Sequence, residues 1–318
     1  MFQKNKKQVN LIIKDQAIRY MVTNQPTLTG VIDYGEIQLD VGIIMDGKVS
    51  DPEGFAAALH MLVSNKKWKN KPLSFCVPDA SVTIREHLVP KQLKKTEIKS
   101  YINMELEESI RLPFSDPVFD FVVIGEEQEQ VKILLFAYPK ERINEYLHAF
   151  KQAGLLPVVA DLSSLSLYRL YNELGYAEEG DHLLLAQWGR DSAVLTAFNE
   201  NKPVFTRQIK SVLPQDSWQF SQEAKEITWQ GSQNEIAESI DEQLTLLERF
   251  LDFYQYSVMD GEKQINKLLL CGDFPFLTKV EIYVKENYRM PIVTIDELEE
   301  KIQVPGKFAD VLGLSIKK

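Results

Sequence analysis

The chain has 318 residues, with 36 basic and 46 acidic side chains and a formal net charge of −10. A hydrophobic fraction of 44% beside 26% charged residues belongs to a folded globular protein and excludes a disordered, collagen-like or disulfide-stapled chain. The acidic balance argues against nucleic acid and against direct insertion into anionic lipid, since both need a concentrated cationic face.

At ~150 residues per domain the length points to two domains. No apolar run reaches the ~20 residues of a membrane span; Lys132–Ala137 and His182–Ala186 are far shorter. The start, Met1 to Val9, is basic and polar and lacks the apolar stretch of a signal peptide. Cys76 and Cys271 stand far apart, each at the end of an apolar run. They read as small core residues of a reducing compartment, hence a cytoplasmic location.

In chain order, Val9–Ile13 and Ala17–Thr23 read as strands around the turn Lys14-Asp15-Gln16. Asp46-Gly47 marks a hairpin between Val41–Met45 and Lys48–Val49. Asp51-Pro52 opens a helix with Phe55, Ala58, Leu59, Leu62 and Val63 as its apolar stripe. Lys66–Lys71 is a solvated basic loop. A strand at Leu73–Val77 precedes a helix from Thr96 to Arg111, on which Ile98, Ile102, Leu106 and Ile110 share a face. Strands at Val118–Ile124 and Val131–Tyr138 follow, then a helix from Lys140 to Ala153 closed by Gly154. The stretch 73–155 thus forms a β-α-β-β-α unit.

A short strand, Pro157–Ala160, leads to a helix capped by Asp161 and ending at Gly175. The strands His182–Trp188, Ser192–Phe198 and Pro203–Lys210 repeat the amino-terminal layout, which predicts an internal duplication of a β-β-β-α unit. Ser211–Asn234 reads as polar and irregular. An amphipathic helix spans Asn234–Ser257, a strand Lys267–Cys271, a helix Phe276–Asn287 and a strand Pro291–Thr294, with a last helix within Phe308–Ile316.

Catalytic signatures are sparse. His60, His87, His148 and His182 have no metal-ligand spacing, and no Cys-x-x-Cys or Gly-x-Ser-x-Gly occurs. Glu105, Glu107 and Glu108 read as a solvated helix face. Gly42 to Lys48 matches Gly-x-x-x-x-Gly-Lys, but Val49 follows where a hydroxyl would hold magnesium, and the match spans the predicted hairpin. No catalytic residue and no metal site are expected.

Several stretches carry a family pattern: Phe75-Cys-Val-Pro-Asp79, Arg85–Pro90, Tyr101–Glu107, Leu112–Phe114, Asp120–Ile124, Leu134–Lys140, Gln152–Leu155 and the ending Ala309–Ser315. With the duplicated strand order, they make the chain resemble the PilM family of type IV pilus assembly, relatives of FtsA within the actin-like superfamily. The resemblance implies an α/β fold with mixed sheets, a duplicated β-β-β-α architecture and an inserted FtsA-type subdomain. On this reading 1–72 opens the first half, 73–155 is the insert, 156–180 returns to the first half, and 181–318 is the second half with a reduced upper subdomain. FtsA carries a carboxy-terminal amphipathic membrane helix; this chain stops before one, which favours PilM.

Members of the superfamily bind ATP with magnesium between their halves. The family's first strand, Gly-Ile-Asp-Ile-Gly-Ser-Ser-Ser-Ile-Lys, laid on Asn10–Arg19, puts Ile12 in place of the acid, Lys14 in place of the turn glycine and Arg19 at the basic position. Its second hairpin, Asp-Ile-Gly, reads Gln187-Trp188-Gly189, and its Ser-Gly-Gly-Gly segment reads Cys271-Gly272-Asp273-Phe274. The remnant of the cleft is Lys14, Asp15, Arg19, Gly189, Arg190, Asp191, Gly272 and Asp273, read as turn residues inherited with the fold. No cofactor is expected. The implied role is a scaffold without ATP hydrolysis, peripheral at the inner face of the cytoplasmic membrane. The implied partner is the cytoplasmic amino-terminal peptide of a PilN-like bitopic protein, lying between the amino-terminal and inserted subdomains. Candidate contacts are Arg85, His87, Val89 and the helix Thr96–Arg111. The alternatives are an actin-like protein that binds or hydrolyses ATP with magnesium, and a GspL-like type II secretion component.

Overall fold

A computed structural model of the chain describes residues 7–214, 217–221 and 226–318. The basic start therefore lies largely outside the described residues. The first half opens with β1 (Gln8–Lys14), β2 (Ala17–Thr23) and β3 (Val31–Gln38), then the hairpin β4 (Ile44–Met45) and β5 (Lys48–Val49), then α1 (Pro52–Lys66) and β6 (Pro72–Cys76). The insert follows as β7 (Thr83–Pro90), α2 (Lys95–Glu108), β8 (Pro117–Glu127) and β9 (Gln130–Pro139). Then come α3 (Lys140–Gln152), β10 (Leu156–Asp161) and α4 (Ser163–Glu173).

The second half holds β11 (His182–Trp188), β12 (Ser192–Asn199), β13 (Lys202–Lys210), β14 (Trp218–Ser221), β15 (Glu226–Trp229) and α5 (Gln233–Phe253), which runs into a π-helical turn, Tyr254–Val258. It continues as β16 (Lys267–Gly272), α6 (Leu277–Asn287), β17 (Ile292–Thr294), α7 (Ile295–Glu299) and α8 (Ala309–Ser315). The first sheet is ordered β10-β6-β1-β2-β3 and the second β17-β16-β11-β12-β13. In each, three antiparallel strands are extended by two parallel ones. The expected duplication is thus present as topology.

β1, β2 and β11 are buried along nearly their whole length because both faces of each sheet are covered. Val9, Leu11 and Ile13 face α1 and α3, while Ile12 and Met21 face α4 and α8. On the second sheet Leu183, Leu185 and Cys271 join that same middle core, and Leu184, Ala186 and Trp188 turn to the far side with α5 and α6. One apolar layer, built on α4 and α8, is therefore shared by the two halves. The free cysteines Cys76 and Cys271 both lie in it, and burial pushes the Cys271 thiol up to about 12.

Local capping and turn rules operate along the chain. Asp51 caps α1 by accepting a 3.0 Å hydrogen bond from the Gly54 amide. Ser232 and Glu235 form a capping box at α5. Asp46 and Gly47, both at positive φ, turn the β4–β5 hairpin, so the phosphate-loop match is a hairpin.

Other expectations are corrected. β3 and β7 were not foreseen. Leu73–Cys76 does not open the insert: β6 pairs in parallel with β1 and β10 inside the first sheet. Tyr146 and Phe150 of α3 pack on Phe55 and Phe75, so α3 also belongs to the first half. The insert proper is the sheet β7-β9-β8 covered by α2, around Val89, Ile98, Ile102, Ile133 and Leu135. α2 ends at Glu108, and Ile110 is buried beyond it. Asp161 ends β10, and Leu162 holds the cap position of α4. Within 211–234, β14 and β15 form a hairpin with Trp218 against Trp229; residues 215–216 and 222–225 of that stretch are outside the described set.

Candidate functional site

The ends of β1, β2, β11 and β16 converge on one cleft, enclosing about 1090 Å³ with its open mouth included. All eight residues of the expected remnant line it: Lys14 and Asp15 at the β1–β2 turn, Arg19 on β2, Gly189, Arg190 and Asp191 at the β11–β12 turn, and Gly272 and Asp273 after β16. Asp46, Asp79, Lys210, Lys307 and Asp310 line it as well.

Arg19 is not a turn residue. The register pairs it with Ile12 on one side and Glu36 on the other, so the three side chains form a row on one face of the sheet. Arg19 is 3% exposed. Its Nε donates to Glu36 at 2.8 Å, its Nη2 pairs with Asp273, and its Nη1 lies 3.4 Å from Asp310. Lys14 stands 3.8 Å from Asp310 and Lys307 3.4 Å from Glu36. Three cations thus meet three carboxylates. Burial opposes the charge of Asp273, but Arg19, Arg190 and Lys14 outweigh it and bring its carboxyl down to about 2. Burial likewise works against Lys14, yet Asp310 and Asp79 hold it above its ordinary value.

Most of the remaining polar groups are also engaged. The Asp15 carboxylate accepts from the Asp46 and Gly47 amides at 2.7 and 3.0 Å. Arg190 donates to Gln16 at 3.1 Å, and Lys210 pairs with Asp46 at 2.6 Å across the mouth. Ser163 donates to Asp79 at 2.6 Å. Among the described residues, two buried cleft atoms lack a partner, Asp191 Oδ1 and Gln187 Nε2. Burial raises the Asp191 carboxyl to about 6, with Arg190 counteracting.

These residues do not suit a divalent cation. Ile12 is 2% exposed and given over to the middle core. Gln187 offers a neutral amide. Asp273 and Asp310 already hold Arg19, and no cluster of three or more His, Cys, Asp or Glu is placed for a metal among the described residues. Phe274 is buried against Trp218 and Phe276, filling space beside the segment where glycines were expected. Gly272, at φ 137°, has a different reason to be glycine: a Cβ there would overlap the Trp188 carbonyl oxygen. Glu36 and Asp310 were missed in the sequence. Glu36 lies on the unforeseen β3, while Asp310 was in plain view in the Ala309–Ser315 ending.

On the insert, register places Arg85, His87 and Val89 on the face of β7 that meets α2, opposite Leu135, Ile133 and Val131. Val89 is fully buried in the insert core and is not available to a partner, a correction that follows from this alternation. Arg85 is exposed and His87 half-buried. On α2, Ile98 and Ile102 are core, while Asn103 and Met104 face solvent.

Comparison with known proteins adds the following. The family profile described as type IV pilus assembly protein PilM matches residues 15–213. A structure described as the PilM-PilN type IV pilus biogenesis complex superposes with a TM-score of 0.75 over 98% of each chain, at 20% identity. A Bacteroides thetaiotaomicron protein with an actin-like ATPase fold and unknown function matches with a TM-score of 0.51 over 100% of each chain, at 10% identity. MreB5 of Spiroplasma citri bound to ADP also gives 0.51, over 98% of this chain and 95% of that one, at 10% identity. The fold is actin-like.

Proposed function

This chain belongs to the PilM family of type IV pilus assembly proteins, and on that premise we propose that it is a non-enzymatic scaffold, brought to the inner face of the cytoplasmic membrane by the cytoplasmic amino-terminal peptide of a PilN-like bitopic protein. The observation that carries the non-enzymatic part is the chemistry of the cleft. Hydrolysis on an actin-like frame needs a metal held by acids near the phosphates and a positioned water. Here Ile12 and Gln187 stand where the family pattern has acids, Asp273 and Asp310 are paired with Arg19, and Asp15, Asp46 and Asp79 are engaged by backbone amides, Lys210 and Ser163. Recruitment by a partner is supported by the PilN found with the similar PilM structure and by the lack, among the described residues, of a helix able to cross a membrane. The surface we assign to the peptide is Arg85 and His87 beside the solvent-facing side of α2 around Met104.

The test is calorimetric titration of the purified protein with a synthetic amino-terminal peptide of a PilN-like protein, and separately with ATP, with and without magnesium. Saturable peptide binding that Arg85→Ala weakens, with no heat from millimolar ATP, is the expected result. Micromolar, magnesium-dependent ATP binding would replace this reading with that of an actin-like ATP-binding protein. Absence of peptide binding would remove the partner.

A further inference from the structure

We propose that the two halves of this chain are held in one relative arrangement by their own ion pairs, with the Arg19 guanidinium standing in for the cation-bound nucleotide that would otherwise join them. The proposal goes beyond the scaffold reading and does not depend on the partner.

The argument starts from the row Ile12–Arg19–Glu36. An acid at position 12 would lie directly across from Arg19 and satisfy it within the first sheet. Ile12 removes that option, leaving Glu36 as the one acid beside Arg19 in the row. The rest of the guanidinium is turned outward, across the cleft to Asp273 at the end of β16 and also to Asp310 on α8, a helix that packs on α4, β1 and β2 of Arg19's own half. A buried guanidinium left unpaired would be costly, so the apolar Ile12 and the inter-half pair of Arg19 with Asp273 belong together.

The charges balance. Arg19, Lys14 and Lys307 face Glu36, Asp273 and Asp310, so the cluster is neutral before anything binds. A phosphate chain entering it would have to displace one of these carboxylates from its cation. Two further links close the mouth, Arg190 to Gln16 and Lys210 to Asp46, each joining a turn of one half to a turn or strand end of the other. Behind them lies the apolar layer of α4 and α8 that both sheets share. Gly313 brings these helices so close that a Cβ would overlap the Ser166 carbonyl, and Ser166 Oγ donates to the Asp310 carbonyl at 2.6 Å. The position of Asp310 is therefore set by rigid packing.

The experiment measures the distance between the halves. Spin labels are placed by Met61→Cys on α1 and Ile282→Cys on α6, both exposed, the native cysteines being buried. Pulsed electron resonance reads the distance distribution without ligand, with millimolar magnesium-ATP, and in Asp273→Asn, which keeps side-chain size and removes one charge. The expected result is one narrow distribution that magnesium-ATP leaves in place, and in Asp273→Asn a loss of that narrow peak with a shift to longer distance. Lys210→Gln, at the mouth and exposed, serves as the second variant should Asp273→Asn not fold, with a smaller broadening expected. A broad distribution that narrows on adding magnesium-ATP would overturn the proposal, as would a folded Asp273→Asn indistinguishable from the parent. The peptide titration is read on the same protein, so failure of the partner and failure of the ion-pair lock are seen separately.

Discussion

The two cleft glycines, Gly189 and Gly272, should behave differently when changed to alanine. At Gly272 the backbone has φ 137° and a Cβ would overlap the Trp188 carbonyl oxygen and crowd its amide. Forcing a side chain into that conformation costs about 1–3 kcal/mol, and relieving the overlap by shifting packed strands costs about 1–3 kcal/mol more. Gly272→Ala should therefore lose about 4 kcal/mol, a large part of the ~5–15 kcal/mol that holds a domain folded. At Gly189 no positive φ is required, and an added Cβ would sit 3.1 Å from the Ser192 carbonyl oxygen and 3.4 Å from Asp273 Oδ1. Both neighbours can give slightly, so Gly189→Ala should cost about 1 kcal/mol or less.

The assay is urea unfolding followed by circular dichroism, comparing midpoints, because a chain with two halves need not unfold in two states. With a slope near 3 kcal/mol per molar, Gly272→Ala should bring the midpoint down by about 1 M or more. A Gly272→Ala midpoint equal to that of Gly189→Ala would refute the reasoning. The glycine would then have no role in the close approach of β16 to β11.

Two further outcomes are expected. Asp191 has its folded carboxyl at about 6 against an ordinary 3.8, so its charge is a burden on the fold above about pH 6 that is relieved as pH falls towards 4; Asp191 should contribute a rise in stability of about 1.4 kcal/mol from pH 7.5 to pH 5, to which Asp15 and Asp79, also raised by burial, add, and Asp191→Asn should reduce the rise by that amount in a pH series of urea midpoints. Asp273 works in the other sense, but its contribution is lost only as pH falls through about 2, outside this window. Ile102→Ala, at a fully buried position of the insert core, should cost about 3 kcal/mol. Because that core is separate from the other three, faster hydrogen exchange should be confined to residues 83–139; acceleration across β1 or β11 would contradict the boundaries drawn above.

The fold was legible where local chemistry and burial agree. β1, β2 and β11–β13 read as strands because turn residues bracket apolar runs, and α5 because its stripe keeps one period over six turns. β3 escaped because Val-Ile-Asp-Tyr-Gly-Glu-Ile-Gln has no buried residue, as suits an edge strand, with Ile32 and Tyr34 exposed, and its sequence shows neither a continuous apolar run nor clean alternation. β7 escaped for a similar reason. Only Ile84 and Val89 of its eight residues are buried, five positions apart. The placement of β6 and α3 was misjudged because sequence proximity to the insert says nothing about which sheet a strand joins. The parallel pairing of β6 with β1 is non-local and leaves no mark in either strand alone.

The site was legible as positions and illegible as bonds. Spacing against the family pattern brought eight residues to one cleft, because each sits at the end of a strand whose register the sheets fix. What the residues do there depends on side chains 254 and 291 positions from Arg19, at Asp273 and Asp310. Lys14 and Asp15 look like degraded phosphate-binding residues when read one at a time. With Ile12 in the core, Arg19 takes Glu36 from its own half and Asp273 from the other. Three cations and three carboxylates pair with one another there, so the cluster needs no ligand for its ionic cohesion.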